Sequence, residues 1–136
     1  MQPALNACVF IIDDDAIVRD AMAWLLRSRR LMSESFESAD AFERMLSDKF
    51  PGTNAPVPTE AGCILLDVRM PGMSGFELLK QVKDMGIQAP IVLMSGSTDL
   101  FLRRTAIDMG AADYIAKPFE IHELESAIHS ALRVTA

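Results

Sequence analysis

Three kinds of reactive side chain stand directly after four short apolar runs. Asp13, Asp14 and Asp15 follow the run from Cys8 to Ile12, and Asp67 follows Cys63 to Leu66. Ser95 follows Pro90 to Met94, and Lys117 follows Tyr114 to Ala116. Carboxylates held together repel and raise one another's pKa, so a cluster of them needs positive charge. A hard divalent cation with oxygen ligands supplies it, Mg²⁺ being the usual choice inside cells. Lys117 adds a point charge on a long stem that can reach a phosphoryl oxygen. Carboxylate, cation, hydroxyl and ammonium form a working set for phosphoryl transfer. The carboxylate attacks phosphorus, cation and ammonium offset charge on the transferred oxygens, and the Ser95 hydroxyl donates to another. Each residue alone is ordinary, since an acidic pair after a strand is commonly a turn or a helix cap. Their joint placement after four apolar runs carries the argument.

The elements that must bring these residues together alternate along the chain. Cys8 to Ile12 is unalternated and rich in β-branched residues, as a strand buried on both faces should be. From Ala16 to Arg30 the period lengthens, with Val18, Met22, Leu25 and Leu26 on one side of a helix. Ser33 to Glu37 is a weakly marked second strand, and Ser38 caps a helix reaching about Lys49, with Asp40 near its positive end. Pro51 to Gly62, with three prolines and two glycines, is an extended connection. A third strand, Cys63 to Leu66, ends at Asp67. The turn from Met70 to Gly75 leads to a helix carrying Phe76, Leu79 and Val82. Pro90 to Met94 is the fourth strand, Asp99 to Met109 a helix closed by Gly110, and Tyr114 to Ala116 the fifth strand. The last helix carries Ile121, Leu124, Ile128 and Leu132 on one stripe. Five strands, each followed by a helix, imply an α/β doubly wound parallel sheet. Ligands bind such sheets at the carboxyl ends of the strands, where the reactive residues fall.

Composition narrows the function classes. At 136 residues, half of them apolar, the chain suits one domain with a real core. A net charge of −6 argues against this domain gripping nucleic acid itself. No apolar run is long enough to span a bilayer, and the first residues do not read as a signal peptide, so a soluble cytoplasmic protein is expected. Cys8 and Cys63 read as buried free thiols rather than a disulfide or metal pair, and the nine methionines as packing.

The segments Ile12-Asp13-Asp14-Asp15, Leu66-Asp67-Val68-Arg69-Met70-Pro71-Gly72-Met73-Ser74-Gly75, Met94-Ser95-Gly96 and Tyr114-Ile115-Ala116-Lys117-Pro118-Phe119 resemble the motifs of response-regulator receiver domains. The resemblance runs from Val9 to Leu132 in order, and is strongest to the FixJ-type group. It implies a CheY-like (flavodoxin-like) fold of five strands in the order 2-1-3-4-5 with five helices. Residues 1–136 would form one receiver domain with a core at about 8–133 and no output domain. Asp67 would be the phospho-acceptor, taking its phosphoryl group from a sensor histidine kinase. Asp14, Asp67 and the backbone carbonyl of Arg69 would ligate Mg²⁺ (or Mn²⁺), with Asp13 acting mainly through water. Ser95 would be the switch hydroxyl and Lys117 the phosphate-pairing lysine, its bond to Pro118 cis. Tyr114 would be the switch aromatic, turning inward as Ser95 moves toward the phosphoryl group. Arg69 and Ser97 would flank that group and tune its lifetime. The implied partners are the kinase, through the first helix, and a phosphorylation-dependent homodimer. The implied output is transcription, with DNA bound only through a domain absent here.

Asp13 and Asp15 have the bare spacing of a Mg²⁺-dependent phosphohydrolase with an Asp nucleophile. No Thr follows at the expected place, however, and Asp67 and Lys117 would go unexplained. A stand-alone receiver acting through protein contacts is compatible with the motifs, whereas a pure interaction module would not need the full Asp13, Asp14, Asp67, Ser95 and Lys117 set. Trp24 either docks a partner or covers the edge of the core, and Leu100, Phe101 and Leu102 either pack or serve a dimer. His122 and His129 are expected on a solvent-facing side without a ligand role.

Overall fold

A computed structural model describes residues 8–49, 61–87, 89–96 and 100–134. Its elements are β1 (Cys8–Ile12), α1 (Ala16–Ser28), β2 (Met32–Phe36), α2 (Ala39–Lys49), β3 (Ala61–Asp67), α3 (Gly75–Asp84), β4 (Ile91–Ser95), α4 (Leu100–Asp108), β5 (Asp113–Ala116) and α5 (Ile121–Val134). The strands form one parallel sheet in the order β2-β1-β3-β4-β5. This is the doubly wound arrangement expected from the sequence. Among the described residues, no helix is long and apolar enough to cross a membrane.

Side-chain alternation divides the core between the two faces of the sheet. Val9 and Ile11 join Met22, Leu25 and Leu26 of α1 and Leu124 and Ile128 of α5 on one face. Ile12, Ile64 and Leu66 join Phe42 and Leu46 of α2, Leu78 and Val82 of α3 and Ala106 of α4 on the other. Each fully buried aliphatic side chain contributes about 1.5–3 kcal/mol of hydrophobic stabilisation. Phe10, Phe36 and Phe42 pack with ring centroids 5.1–6.0 Å apart, fastening α2 to β1 and β2.

Several boundaries differ from the sequence reading for identifiable reasons. The first helix ends at Ser28, two residues before Arg30. Arg30 takes the left-handed region at φ 62°, and the Leu31 amide then donates to the Leu26 carbonyl, closing the end. The second strand begins one residue earlier than expected, at Met32, and is an edge strand with mostly exposed side chains. Solvent on one side erases the apolar run that marks β3 and β4. The third strand starts at Ala61, within the expected connection, because it continues its pairing with β1 past a register shift. Cys63 is buried as expected, whereas Cys8 is only half-buried. Ile121 leaves the expected stripe and is 61% exposed, since it opens α5 before the helix meets the sheet. Trp24 is 71% exposed and so does not cover the core. Both histidines lie on the exposed side of α5. The connection 51–60, Ser97, Asp99 and the side chains of Leu100, Phe101 and Leu132 lie outside the described residues.

Candidate functional site

The carboxyl ends of β1, β3, β4 and β5 bring the reactive residues to one edge of the sheet. Parallel register aligns Asp67 with Met94 and Ser95 with Ala116, so Asp67, Ser95 and Lys117 end neighbouring strands at nearly one level. Two backbone bonds keep the strand ends paired at the site. The Val68 amide donates to the Met94 carbonyl at 2.8 Å and the Lys117 amide to the Ser95 carbonyl at 2.6 Å. The Lys117–Pro118 peptide bond is cis.

Local capping shapes the acidic loop after β1. Asp15 is the N-cap of α1, its Oδ1 accepting from the Ile17 amide at 2.9 Å. Asp13 is fully buried, and its Oδ1 accepts from the Asp15 amide at 2.9 Å. Arg19, one turn into α1, donates from Nη1 to the Asp13 carbonyl at 2.6 Å. On the β3 side, Asp67 Oδ1 accepts from the Arg69 amide at 3.3 Å. Gly75 must be glycine, because a Cβ there would run into the Asp67 carbonyl oxygen and the Val68 Cα. Ser74 caps α3 by accepting from the Glu77 amide at 3.2 Å, in the capping-box spacing.

Lys117 bridges the two sides. Its Nζ donates to Asp13 Oδ2 at 2.7 Å and lies 3.5 Å from Asp67 Oδ2. Carboxylate oxygens of Asp13, Asp14 and Asp67 all lie within 4.8 Å of one another. One ammonium thus bridges two of three clustered carboxylates. Burial, then the charge of Asp13, pushes the Asp67 carboxyl up to about 6 from its ordinary 3.8, against the pull of Lys117. For Lys117, burial works to lower the pKa, but the hydrogen bond to Asp13 and the charges of Asp67 and Asp13 outweigh it and raise the ammonium above its ordinary value. An all-oxygen set with excess negative charge fits a hard divalent cation.

Asp13, Asp14, Asp67, Arg69, Ser95, Lys117 and Pro118 lie at this edge, with Asp14 and the Arg69 side chain exposed and Ser95 fully buried. Tyr114, opposite Leu93 in register, stands inward at 3% exposure within the core on the α2–α4 face. Two participants escaped the sequence reading. Arg19 holds the Asp13 carbonyl six residues back, a side-chain-to-backbone contact that no charge spacing along α1 marks. Asp40 sits as a charge near the start of α2, but its Oδ2 also accepts from the Met73 amide at 3.3 Å, a contact 33 residues away that no local pattern announces.

Comparison with known proteins agrees with this geometry. The family model described as the response regulator receiver domain matches residues 9–129. The chain is 40% identical over 126 residues to the response regulator protein TodT of Pseudomonas putida, covering 93% of this chain and 51% of that protein. It is 40% identical over 125 residues to the transcriptional regulatory protein FixJ of Bradyrhizobium diazoefficiens, covering 92% and 56%. The chain therefore spans about half the length of these relatives. The crystal structure of FixJ-N superposes with a TM-score of 0.79 at 33% identity, covering 98% of this chain and 96% of that one. With a family match from the first strand into the last helix, and the same fold beneath it, this chain belongs to the receiver domains of two-component response regulators.

Proposed function

We propose that Asp67 accepts a phosphoryl group from the phosphohistidine of a sensor kinase and that the resulting acyl phosphate shifts the domain between two states. The observation that carries this is the Lys117 ammonium held between Asp13 and Asp67 in a cluster of three carboxylates. A carboxylate oxygen of Asp67 forms the bond to phosphorus while the phosphorus–nitrogen bond of the donor breaks, its electrons leaving with the imidazole. Asp14, Asp67 and the Arg69 carbonyl would hold Mg²⁺ or Mn²⁺, which when bound offsets charge on the transferred oxygens. Asp13 suits a role through water, since both its oxygens already accept hydrogen bonds, from Asp15 and from Lys117. Lys117 exchanges part of its pairing with Asp13 for a phosphoryl oxygen, and the Ser95 hydroxyl donates to another. Those contacts exist only after transfer, which is the differential interaction a population shift requires. The inward Tyr114 belongs to the state that the acyl phosphate favours. Arg69, exposed beside Asp67, is placed to tune the lifetime of the phosphoryl group.

An apolar groove of about 410 Å³ lies between α1 and α5, lined by Ile17, Val18, Trp24, Phe119 and Ile121. We assign it to kinase docking, with Trp24 as the aromatic anchor. Trp24→Ala is expected to slow transfer from the kinase by roughly 30-fold, the effect of losing one such anchor, while uptake from acetyl phosphate stays unchanged. Equal slowing with both donors would contradict the assignment. Residues 1–136 act as one cytoplasmic receiver domain with its core at about 8–133. Transcription is its output, through a DNA-binding domain outside this chain, as the description of FixJ as a transcriptional regulatory protein suggests. A phosphorylation-dependent homodimer would use the α4–β5 edge, where Ile107 is exposed and Arg103 pairs with Asp113 at 3.7 Å.

The metal half of the proposal is tested by Mg²⁺ titration. Asp14→Ala should weaken Mg²⁺ binding by at least about ten-fold, the loss typical even of groups that only support a ligand. Unchanged affinity would remove Asp14 from the metal set. The transfer half is tested with beryllofluoride, a mimic of the phosphoryl group. A bound ¹⁹F signal that requires Mg²⁺ and disappears in Asp67→Asn is expected; a signal surviving that substitution would overturn the assignment of Asp67.

A further inference from the structure

We propose that Asp40 is a positioning residue for the phosphoryl-transfer site, a carboxylate clasp from α2 that fixes the shape of the loop following Asp67. The inference rests on the proposed role of Asp67 and the Arg69 carbonyl. That loop, residues 68–74, is pinned at its base, where the Val68 amide donates to Met94 and the Gly75 amide to the Val68 carbonyl at 2.9 Å. At its far end Ser74 is fixed as the α3 cap. Between these points Asp67 Oδ1 accepts from the Arg69 amide, and a side chain from α2 holds the backbone farther along. Asp40 Oδ2 accepts from the Met73 amide at 3.3 Å.

The fit at Gly72 shows how closely this carboxylate is seated. Gly72 has φ 82°, a region other residues rarely adopt, and a Cβ there would sit 2.6 Å from Asp40 Oδ2. The carboxylate thus occupies the space that glycine leaves open. Asp40 is itself well anchored. It lies in the first turn of α2, where a negative charge is favoured. Ser38 Oγ accepts from the Ala41 amide at 3.0 Å, and Ala39, Phe42 and Leu46 are buried on either side. A helix fastened to the core therefore reaches across 33 residues of sequence to hold the loop that carries Arg69. Holding the loop fixes where the Arg69 carbonyl stands before a cation arrives, and keeps the Arg69 amide on Asp67 Oδ1.

The test compares Asp40→Ala and Asp40→Asn with the wild type in three measurements: Mg²⁺ affinity by titration, uptake from acetyl phosphate, and exchange of the Met73 amide in EDTA. Asp40→Ala should weaken Mg²⁺ binding and speed Met73 exchange by roughly ten-fold each, the loss expected of one hydrogen bond to a charged acceptor. Phosphoryl uptake should slow at sub-saturating Mg²⁺ and recover as Mg²⁺ is raised. Asp40→Asn keeps an acceptor oxygen and should restore most of each loss, which a general loss of stability would not do. Wild-type Mg²⁺ affinity and Met73 exchange in Asp40→Ala would overturn the clasp. If Asp40→Ala fails to fold, Asp40→Ser, whose shorter side chain does not reach the Met73 amide, decides the matter by the same criteria. Absence of Mg²⁺-dependent uptake in the wild type would instead overturn the reading of Asp67, leaving the exchange measurement to judge the clasp.

Discussion

Asp67→Asn should accept no phosphoryl group and, without divalent cation, should be more stable than the wild type at pH 8. The two effects share one cause. Burial and the Asp13 charge hold the Asp67 carboxyl at about 6 in the fold against an ordinary 3.8. A carboxyl raised in the folded state binds its proton more tightly there than in the unfolded chain. Its favourable contribution is complete below about pH 4 and is lost as pH rises through about 6. A difference near two units corresponds to on the order of 3 kcal/mol, carried as a penalty by the wild type at pH 8. The pull of Lys117, 3.5 Å away, is already contained in that net shift. Asparagine keeps the volume and removes both the charge and the nucleophile. Denaturant titrations in EDTA should show the variant more stable at pH 8 and the gap closing toward pH 4. A less stable variant at pH 8 would contradict this account of the site's electrostatics.

Lys117→Ala is expected to have the largest opposite effect on stability. It leaves the fully buried Asp13 carboxylate without the ammonium that now lies 2.7 Å from Oδ2. Breaking one side of a buried pair costs about 3–5 kcal/mol, and the partial exposure of Lys117 places this case near the low end, at about 3 kcal/mol. Asp13→Asn should recover much of that loss in the double variant, because the stranded charge is then gone. Lys117→Ala should still take up some phosphoryl group, since the nucleophile and the carboxylates remain, but should not switch. The check combines denaturation of the single and double variants with a probe of Tyr114 before and after acetyl phosphate. Wild-type stability, or a complete conformational response, would remove Lys117 from its proposed place.

The parts of the fold that were legible in the sequence are those where burial dictates residue type. The unbroken apolar runs of β1, β3 and β4 announce strands covered on both faces. Because all strands run parallel, the residues after those runs had to meet at one edge. The order of the runs thus assigns Asp13, Asp14, Asp67, Ser95 and Lys117 to that edge. Where burial is partial, the pattern weakens. The edge strand β2 shows little apolar signal, and Ile121 and Trp24 look like core residues yet lie largely in solvent. The left-handed turn at Arg30 has no glycine to mark it. Long-range polar contacts left less trace. The Asp13–Lys117 pair, 104 residues apart, shows only as convergence on one sheet edge, and the Asp40–Met73 contact, 33 residues apart, follows no local period.

The central claim is that Asp67 is a metal-assisted phospho-acceptor, and intact mass measures it most directly. Wild type and Asp67→Asn would be incubated with acetyl phosphate, with Mg²⁺ and with EDTA. The account predicts a single phosphoryl adduct on the wild type with Mg²⁺, little in EDTA, and none on Asp67→Asn under either condition. An adduct of equal yield on Asp67→Asn, or one indifferent to Mg²⁺, would contradict it.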